Sequence, residues 1–345
     1  MKRLKCFLLA FFVWLMLLCG CQFQMEEPVQ PDSAGGLSVH YIDVGQADCT
    51  LLECDGQTML IDGGNAEDSS MVVSYLRSRG INYLDYVVCT HAHEDHVGGL
   101  SGPLNTCSVG QVFAPVTEYD SKVFSNFVYY TEKQGLNVEV PAADDVFALG
   151  GATVTVLGPR EEYGETNDTS IVLRVDYGNS SFLFTGDMER AAEEDLLEAG
   201  CNLDVDVLKV GHHGSNTSSS YVFLREVMPE YGVISCGKDN DYGHPHDEVV
   251  SRLKDAGTTI LRTDEHGTVT AFSDGETIVF AVEKGVLPSV EEAEPIPVAY
   301  IGNKKSQVFH RTDCSGLPAE HNRVSFNSRD AAVDAGYKAC GNCKP

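Results

Sequence analysis

Residues 90–99 of this chain read Thr90-His91-Ala92-His93-Glu94-Asp95-His96-Val97-Gly98-Gly99. They directly follow Tyr86-Val87-Val88-Cys89, a β-branched and aromatic run that is typical of a buried strand. In extended backbone alternate side chains point to the same side, so the first two histidines can share one metal ion. The aspartate and the third histidine turn past it and can hold a second ion. Three imidazoles and a carboxylate at a strand end predict a binuclear site for zinc, manganese or iron.

Composition indicates an acidic protein of mixed α/β structure. The chain has 345 residues, 43% of them hydrophobic, which suits one large domain and a small one. Its 33 glycines and many short apolar runs favour α/β structure over a helical bundle. The formal net charge of -27 argues against broad electrostatic binding to nucleic acid or acidic lipid. Two divalent metals would still create a local cationic site.

The first 21 residues are predicted to be a targeting segment. Three basic residues precede an apolar run, residues 6–18, that is too short for a stable membrane span. This run closes on Leu18-Cys19-Gly20-Cys21, which resembles the lipobox of bacterial lipoproteins. The resemblance implies a lipid on Cys21. Residues 22–36 are polar and contain two prolines, which predicts a tether. The protein is therefore expected outside the cytoplasm, anchored by lipid to the bacterial cell membrane; an ordinary signal peptide or a short membrane anchor is the alternative.

Residues 37–284 are predicted to form the main domain. Strands are expected at 39–44, 49–54, 58–61, 152–157, 170–175, 181–185, 205–210, 232–236, 258–261, 269–272 and 277–282, and helices at 70–79, 127–133 and 188–199. Strand pairs alternate with helices in both halves, which suits two packed sheets with helices outside. The predicted fold class is α/β, as a four-layer αββα sandwich.

Later strand ends supply the other groups that a two-metal site needs. One apolar strand ends at Asp187, a carboxylate suited to bridging two ions, although Gly-Asp is also a common turn. Another ends in His212-His213, and paired histidines at a strand end favour metal or substrate contact over core packing. His244 lies in a polar cluster, residues 241–246, and is predicted to be catalytic or to contact substrate; a solvated turn is the alternative.

In combination, these motifs resemble the metallo-β-lactamase fold superfamily, whose shared motif is His-x-His-x-Asp-His after a strand. More narrowly, nearly all of residues 37–282 is similar to the ComEC-like competence hydrolase subgroup. The supporting segments occur in family order at 43–48 (DVGQAD), 60–64 (LIDGG), 167–173 (NDTSIVL), 185–187 (TGD), 208–215 (LKVGHHGS) and 243–246 (GHPH). One departure from the subgroup is Ala47, where glycine is usual.

The resemblance implies a role for each matching position. The metal ligands would be His91, His93, Asp95, His96, Asp187 and one of His212 and His213, with His213 preferred. Asp62 would orient the histidine loop, residues 91–96. No histidine lies between His96 and His212, so Asn167 or Asp168 would replace the third histidine that other members supply to the first metal. An oxygen ligand there makes manganese plausible beside zinc and argues against β-lactam hydrolysis.

A second metal site is predicted near the C-terminus. Residues 285–297 are acidic and contain proline, which is typical of a linker. Residues 298–345 then carry seven Lys and Arg against four Asp and Glu. Their ligand pairs, His310 with Cys314 and Cys340 with Cys343, suit one structural zinc ion, with a redox or disulfide-bearing tail as the alternative.

The C-terminal module resembles the zinc domain of the Ada protein, which implies contact with nucleic acid or another polyanion. Lys304, Lys305, Arg311 and Arg323 are the candidate contacts. His310 stands where the reactive cysteine of that family would be, so alkyl-group acceptance is not expected.

The sequence features predict an extracytoplasmic, lipid-anchored, binuclear metallohydrolase. The resemblances to the ComEC-like subgroup and to the Ada zinc domain imply that it cleaves phosphodiester bonds in DNA or RNA. His244 would assist charge development or the leaving oxygen. A cell-wall phosphodiesterase acting on phosphocholine or teichoic-acid esters is the enzymatic alternative. A surface protein that binds nucleic acid without catalysis is the other alternative. No obligate protein partner is indicated.

Overall fold

The computed structural model describes residues 35–288, 300–312, 314–326, 328–341 and 343. The predicted leader with Cys21 and nearly all of the predicted tether lie outside the described residues, as does most of the predicted linker. None of the helices in the described ranges combines the length and apolar character that crossing a membrane requires. The main domain and the C-terminal module belong to the same unit, residues 33–345.

The first half of the main domain runs β1 Leu37–Tyr41, β2 Thr50–Cys54, β3 Gln57–Ile61, α1 Ser69–Ser78, β4 Tyr83–Val88, α2 Glu94–Val97, α3 Ser101–Thr106, β5 Ser108–Phe113, α4 Lys122–Lys133 and β6 Val138–Glu139. The second half runs β7 Val146–Leu149, β8 Ala152–Gly158, β9 Val172–Tyr177, β10 Ser180–Phe184, α5 Arg190–Glu198, β11 Val207–Lys209, α6 Tyr221–Val227, β12 Tyr231–Ile234, α7 Asp247–Asp255, β13 Thr259–Arg262, α8 Thr263–His266, β14 Val269–Ser273 and β15 Ile278–Val282. Short 3-10 turns lie at Ala66–Asp68, Gly98–Leu100, Asn167–Thr169 and Gly211–Gly214.

Within residues 35–288 the strands form two sheets. Their orders are β15-β14-β1-β2-β3-β4-β5-β6 and β13-β12-β11-β10-β9-β8-β7. Side chains alternate between the faces of a strand, so Leu52 and Met59 reach the core between the sheets, where Val154 and Phe182 meet them. The opposite faces are covered by α1, α3 and α4 on the first sheet and by α5, α6 and α7 on the second. The predicted four-layer αββα sandwich is confirmed.

Each predicted strand and helix overlaps an observed element, but several ends differ. The first strand ends at Tyr41 because the chain turns at Gly45, whose φ of +70° suits glycine. The helix predicted at 127–133 begins five residues earlier, at Lys122, because the Ser121 side chain accepts the Phe124 amide at 3.1 Å and caps it. Strands β5 to β7 and helices α2, α3, α6 and α8 were not among the predicted elements, whereas His246, the predicted start of a helix, is the N-cap of α7.

The C-terminal module is a small sheet with one helix over it. It contains β16 Tyr300–Asn303, β17 Val308–Arg311, β18 Arg323–Phe326, α9 Arg329–Asp334 and β19 Lys338–Ala339, with a 3-10 turn at Glu320–Asn322 and sheet order β18-β16-β17-β19. Phe309, Phe326, Ala332 and Tyr337 are among its buried core residues. Tyr221, the first residue of α6 in the main domain, packs against this core. The module therefore rests on the helix that follows the His212-His213 turn.

Candidate metal centres

The predicted site residues of the main domain follow strands whose carboxyl ends meet. In the first sheet β3 and β4 are parallel and lead to Asp62 and to the histidine loop. In the second sheet β10 and β11 are parallel and lead to Asp187 and to the His212-His213 turn. Because parallel neighbours end at the same edge, each sheet presents its polar loops at one rim of the sandwich.

Close backbone packing fixes the histidine loop against the turn after β3. The Gly63 amide donates to the His96 carbonyl at 2.8 Å, and the Gly99 amide donates to the Gly64 carbonyl at 2.9 Å. A Cβ atom on Gly99 would lie 1.8 Å from the Gly63 carbonyl oxygen. Both Gly-Gly pairs are therefore needed for the approach that places His96 beside Asp62.

Asp62 orients His96. Its carboxylate accepts the Thr90 amide at 2.8 Å and the Thr90 hydroxyl at 2.7 Å, and it accepts His96 Nδ1–H at 2.8 Å. Because a carboxylate can only accept here, His96 Nδ1 carries a proton and Nε2 is the atom left for a metal ion. Burial would lower the pKa of His96, but Asp187 and Asp62 outweigh it and raise that pKa well above its usual range, so a metal ion must displace a proton from Nε2.

Asp187 lies where the two halves of the site meet. Its oxygens lie 3.2 Å from His96 Nε2, 3.5 Å from His213 Nε2, 3.7 Å from His212 Nε2 and 4.0 Å from His91 Nε2. Burial alone would raise the pKa of Asp187, but His96 and His213 outweigh it and hold that pKa well below its usual range. The carboxylate is therefore ionised and surrounded by nitrogen donors from both halves.

Asp95, His96, Asp187 and His213 place one ligand atom each within 4.8 Å of the others. His213 Nε2 lies 3.3 Å from Asp95 Oδ2. Its Nδ1 lies 3.1 Å from the Ser235 carbonyl, which can only accept, so Nδ1 carries a proton and Nε2 is the atom left for a metal ion. Burial would lower the pKa of His213, but Asp187 and Asp48 outweigh it and raise that pKa well above its usual range, so a metal ion must displace a proton from Nε2. Four donors from three separate segments thus converge on one point, since Asp95 and His96 both lie on α2.

His91 and His93 form a separate pair beside this cluster. His91 Nε2 lies 3.1 Å from His93 Nδ1. That spacing suits two nitrogens bound to one ion at metal–nitrogen distances of about 2.0–2.1 Å. Burial and the neighbouring His96 lower the pKa of His91 well below its usual range, so its imidazole is neutral and available as a ligand.

The buried polar atoms of the centre fit bound metal. Among the described residues, His96 Nε2, Asp187 Oδ1 and His213 Nε2 are buried and make no hydrogen bond. Leaving such atoms unpaired costs about 1–3 kcal/mol each, and more for charged groups. Two nitrogens and two carboxylates would satisfy one divalent cation, and Asp187 also faces the His91–His93 pair. The donor set therefore fits two divalent ions that share Asp187.

Asn167 and Asp168, the two candidates to replace the third histidine as a ligand, make different contacts. The Asp168 carboxylate accepts the Glu189 amide at 2.9 Å and the Ala192 amide at 3.4 Å, so it caps the start of α5. Asn167 Nδ2 donates to Glu189 Oε1 at 3.1 Å, while Asn167 Oδ1 is buried without a hydrogen bond. Asn167 is thus the better oxygen donor of the two.

His244 lies beside the paired histidines, with its ring centroid 6.3 Å from that of His213. The Gly237 amide donates to Gln46 Oε1 at 2.9 Å, which turns the Gln46 amide nitrogen toward His244 Nδ1 at 3.2 Å. His244 Nδ1 is therefore an acceptor, and its proton resides on Nε2. Burial, followed by neighbouring imidazoles, lowers the pKa of His244 to about 4, so the neutral ring offers an N–H donor.

A cleft of about 660 Å³ adjoins the cluster at Asp95. Its lining residues are Gln46, Asn65, Ala66, Glu67, Glu94, Asp95 and Tyr242. Tyr242 is 69% exposed, and its ring is stacked on His244 at 5.6 Å between centroids. An exposed aromatic ring thus stands beside the candidate ligand Asp95, in a cleft whose charged side chains are carboxylates.

Sequence reasoning did not single out Gln46, Asp48, Lys209 or Tyr242 as individual site residues. Gln46 and Asp48 lie within the DVGQAD segment, and Tyr242 lies in the polar cluster before His244, but the sequence pattern assigns them no individual role. Lys209 had a readable signal, because a lysine inside the apolar run 205–210 needs a buried partner.

The C-terminal ligands also converge. His310 lies on β17, and its Nδ1 is 3.4 Å from Cys314 Sγ. The ligand atoms of His310, Cys314, Cys340 and Cys343 all lie within 4.8 Å of one another. No disulfide bond joins these three cysteines, which disfavours the disulfide alternative. Three thiolates and one imidazole form the donor set of a closed tetrahedral zinc site.

Comparison with known families agrees with both parts of the chain. Residues 42–238 match the family described as the metallo-beta-lactamase superfamily, and residues 297–345 match the metal binding domain of Ada. The first match covers more than half of the chain.

Curated relatives include competence proteins. ComE operon protein 3 of Bacillus subtilis is 30% identical over 67% of this chain and 32% of its own length. Competence protein ComA of Neisseria gonorrhoeae is 32% identical over 74% of this chain and 35% of its own length. This chain therefore spans about a third of each of these relatives. Ribonuclease Z of Bacillus thuringiensis is 36% identical over 23% of this chain and 24% of its own length.

We predict that Asp187→Asn removes both ions of the main-domain centre, because this carboxylate faces both ligand groups. The matched control is His244→Ala, which should keep both ions since His244 contacts the ligands without belonging to either group. Metal content of the purified full chain, measured by elemental analysis, checks both expectations. Wild-type metal content in Asp187→Asn would rule out a shared carboxylate.

We also predict that Cys314→Ser in the full chain removes the zinc ion of the C-terminal module and leaves the main-domain ions bound. The loss should loosen the module, because its small core depends on metal for stability. Cys201→Ser, which changes a free cysteine outside both centres, is the control. Elemental analysis and limited proteolysis provide the readouts; unchanged zinc content in Cys314→Ser would contradict the assignment.

Proposed function

This chain belongs to the metallo-beta-lactamase superfamily and has ComE- and ComA-type homologues. We propose that it is a metal-dependent phosphodiesterase that acts on nucleic acid. One observation carries the proposal. A buried, ionised Asp187 is surrounded by imidazoles from both halves, and a neutral histidine donor, His244, stands at the rim of the same centre.

The residues divide the chemical work. Two divalent ions in this centre would supply charge to activate a water molecule and neutralise phosphate oxygens. Asp62 and Ser235 hold the proton on Nδ1 of His96 and His213, so that each ring presents Nε2 as a ligand. His244 offers its Nε2–H to a phosphate or leaving oxygen as negative charge develops there. Gln46 keeps that donor in the required tautomer.

Three features support nucleic acid as the substrate. Tyr242 presents an exposed aromatic face beside the ligands, and base stacking on such a face contributes about 1–3 kcal/mol per base. The C-terminal module carries exposed Lys304, Lys305 and Lys338, which would contact phosphates away from the acidic main domain. The relatives named as competence proteins and as ribonuclease Z are consistent with polynucleotide substrates.

A cell-wall phosphodiester is the second candidate, and one observation favours it. The cleft beside Asp95 places Tyr242 with the carboxylates of Glu67 and Glu94, and its lining includes neither Lys nor Arg. An aromatic face with nearby carboxylates suits a quaternary ammonium group, such as that of a phosphocholine ester. This substrate would use the same metal chemistry.

We further propose that the protein is held outside the cytoplasm by a lipid on Cys21. The basic start, the short apolar run and the sequence Leu18-Cys19-Gly20-Cys21 support this location. In cells, the Cys21→Ser variant should no longer be found in the membrane fraction, because it cannot carry the lipid. Co-fractionation of the variant with membranes at the wild-type level would refute the proposal.

Substrate tests on residues 36–345 with manganese or zinc distinguish these functions. The panel is single-stranded DNA, RNA, bis-p-nitrophenyl phosphate and a phosphocholine ester. We expect cleavage of the nucleic acids and of the small diester. His244→Ala should lower kcat about a hundredfold or more, because a charge-stabilising donor is lost.

Tyr242→Ala should raise KM for single-stranded DNA by about tenfold, and Tyr242→Phe, which keeps the ring, should not. Turnover of the phosphocholine ester alone would favour the second candidate. Metal-loaded protein that cleaves none of the four substrates would contradict both.

A further inference from the structure

A buried ion pair lies directly behind the metal ligands. Lys209 ends β11 and is 2% exposed, among apolar neighbours of the same strand. Its Nζ lies 2.7 Å from Asp48 Oδ2 and donates to the Val210 carbonyl at 3.0 Å. Burying an ammonium group costs several kcal/mol unless a partner compensates, and hydrophobic residues at such positions are often more stabilising. Stability alone therefore does not account for this pair.

Asp48 contacts ligand residues from both halves of the centre. Its second oxygen, Oδ1, lies 3.5 Å from His213 Nδ1. Its backbone amide donates to the Asp95 carbonyl at 3.0 Å, and its carbonyl accepts the Gly64 amide at 2.8 Å. Asp48 lies between β1 and β2 of the first sheet, whereas Lys209 is the last residue of β11 in the second sheet. The ion pair therefore spans the two halves of the sandwich.

The environment of Asp48 differs from that of Asp62. Asp62 bonds directly to His96 Nδ1 at 2.8 Å and otherwise accepts from the neutral amide and hydroxyl of Thr90. Asp48 is neutralised by an ammonium group and lies farther from its histidine. His96 and His213 therefore receive unequal support, although both present Nε2 to Asp187.

The charge of Lys209 also affects where a metal ion can bind. One ligand atom each from Asp48, Asp62 and His96 lies within 4.8 Å of the others, so these three residues alone could hold a cation behind the centre. An ammonium group 2.7 Å from Asp48 repels a divalent cation from that position. The same group leaves the cluster of Asp95, His96, Asp187 and His213 as the favoured place.

We propose that Asp48 and Lys209 are positioning residues: their buried ion pair fixes His213 relative to Asp95 and directs metal to the Asp187 side of His96. The proposal rests on the metal centre of the proposed function, but not on the identity of the substrate. The ion pair acts through His213 and touches neither substrate nor reacting atoms.

The test compares full-chain variants that differ in charge and keep side-chain volume. Lys209→Met removes the cation alone, and Asp48→Asn combined with Lys209→Met removes both charges without leaving a buried ion unpaired. Arg174→Met combined with Asp176→Asn is the matched control, because that pair is joined at 2.7 Å on β9, away from the ligands. Co²⁺ titration followed by visible absorption is the readout, with thermal unfolding to establish that each variant is folded.

We expect the Asp48/Lys209 double variant to bind Co²⁺ about 10- to 100-fold more weakly and with an altered visible spectrum, because His213 loses its support. Lys209→Met alone should also alter the spectrum, since Asp48 becomes available to the metal. The control variant should match the wild type in both respects. With bis-p-nitrophenyl phosphate, the double variant should lose kcat with little change in KM.

Wild-type Co²⁺ affinity and spectrum in the folded double variant would overturn the proposal. An equal loss in the Arg174/Asp176 control would also overturn it, since the effect would then be general destabilisation. If the wild type binds Co²⁺ but cleaves no phosphodiester, the proposed function fails, whereas the spectra still decide the positioning role. The two failures are therefore distinguishable.

Discussion

The site depends on one buried carboxylate, Asp187, at the end of β10. It is 2% exposed, and imidazole nitrogens from both halves of the sandwich lie within 4.0 Å of it. A carboxylate at such depth is costly unless positive charge surrounds it. Divalent metal would satisfy that requirement and would also bind the unpaired Nε2 atoms of His96 and His213. A divalent ion would therefore both stabilise the centre and supply the chemistry proposed for it.

The turn that carries His212 and His213 needs support, because both residues adopt left-handed backbone with φ of 49° and 53°. Buried Glu193 accepts the amides of Ser219 and Ser220 just beyond this turn. Next follows α6, whose first residue, Tyr221, packs against the core of the C-terminal module.

Arg252 supports the same segment from α7. Its guanidinium donates to the Ser218 carbonyl at 3.0 Å and to the Ser219 carbonyl at 3.3 Å. The loop that presents two imidazoles is thus held between a carboxylate and a guanidinium. The zinc module braces the helix that follows, which connects the two metal centres through one short stretch of chain.

Much of this arrangement was predictable from the sequence. The histidine loop and Asp187 could be predicted because each follows an apolar run typical of a strand. Parallel strands place their carboxyl ends at one rim of a sheet. Roles that depend on pairing between distant segments were not readable: Gln46 fixes the tautomer of His244 across 198 positions, and Asp48 reaches Lys209 from the other sheet. Asp168 was a candidate metal ligand in the sequence, but its carboxylate instead accepts the Glu189 amide and caps α5.

The central claim is that two ions share Asp187, and anomalous diffraction from crystals of residues 36–345 grown with manganese or zinc tests it most directly. The account predicts two anomalous peaks in the main domain, about 3.5–4 Å apart, with the Asp187 carboxylate contacting both. One peak should contact His91 and His93, and the other Asp95, His96 and His213. A single peak, or two peaks that both lie out of contact with Asp187, would contradict the account.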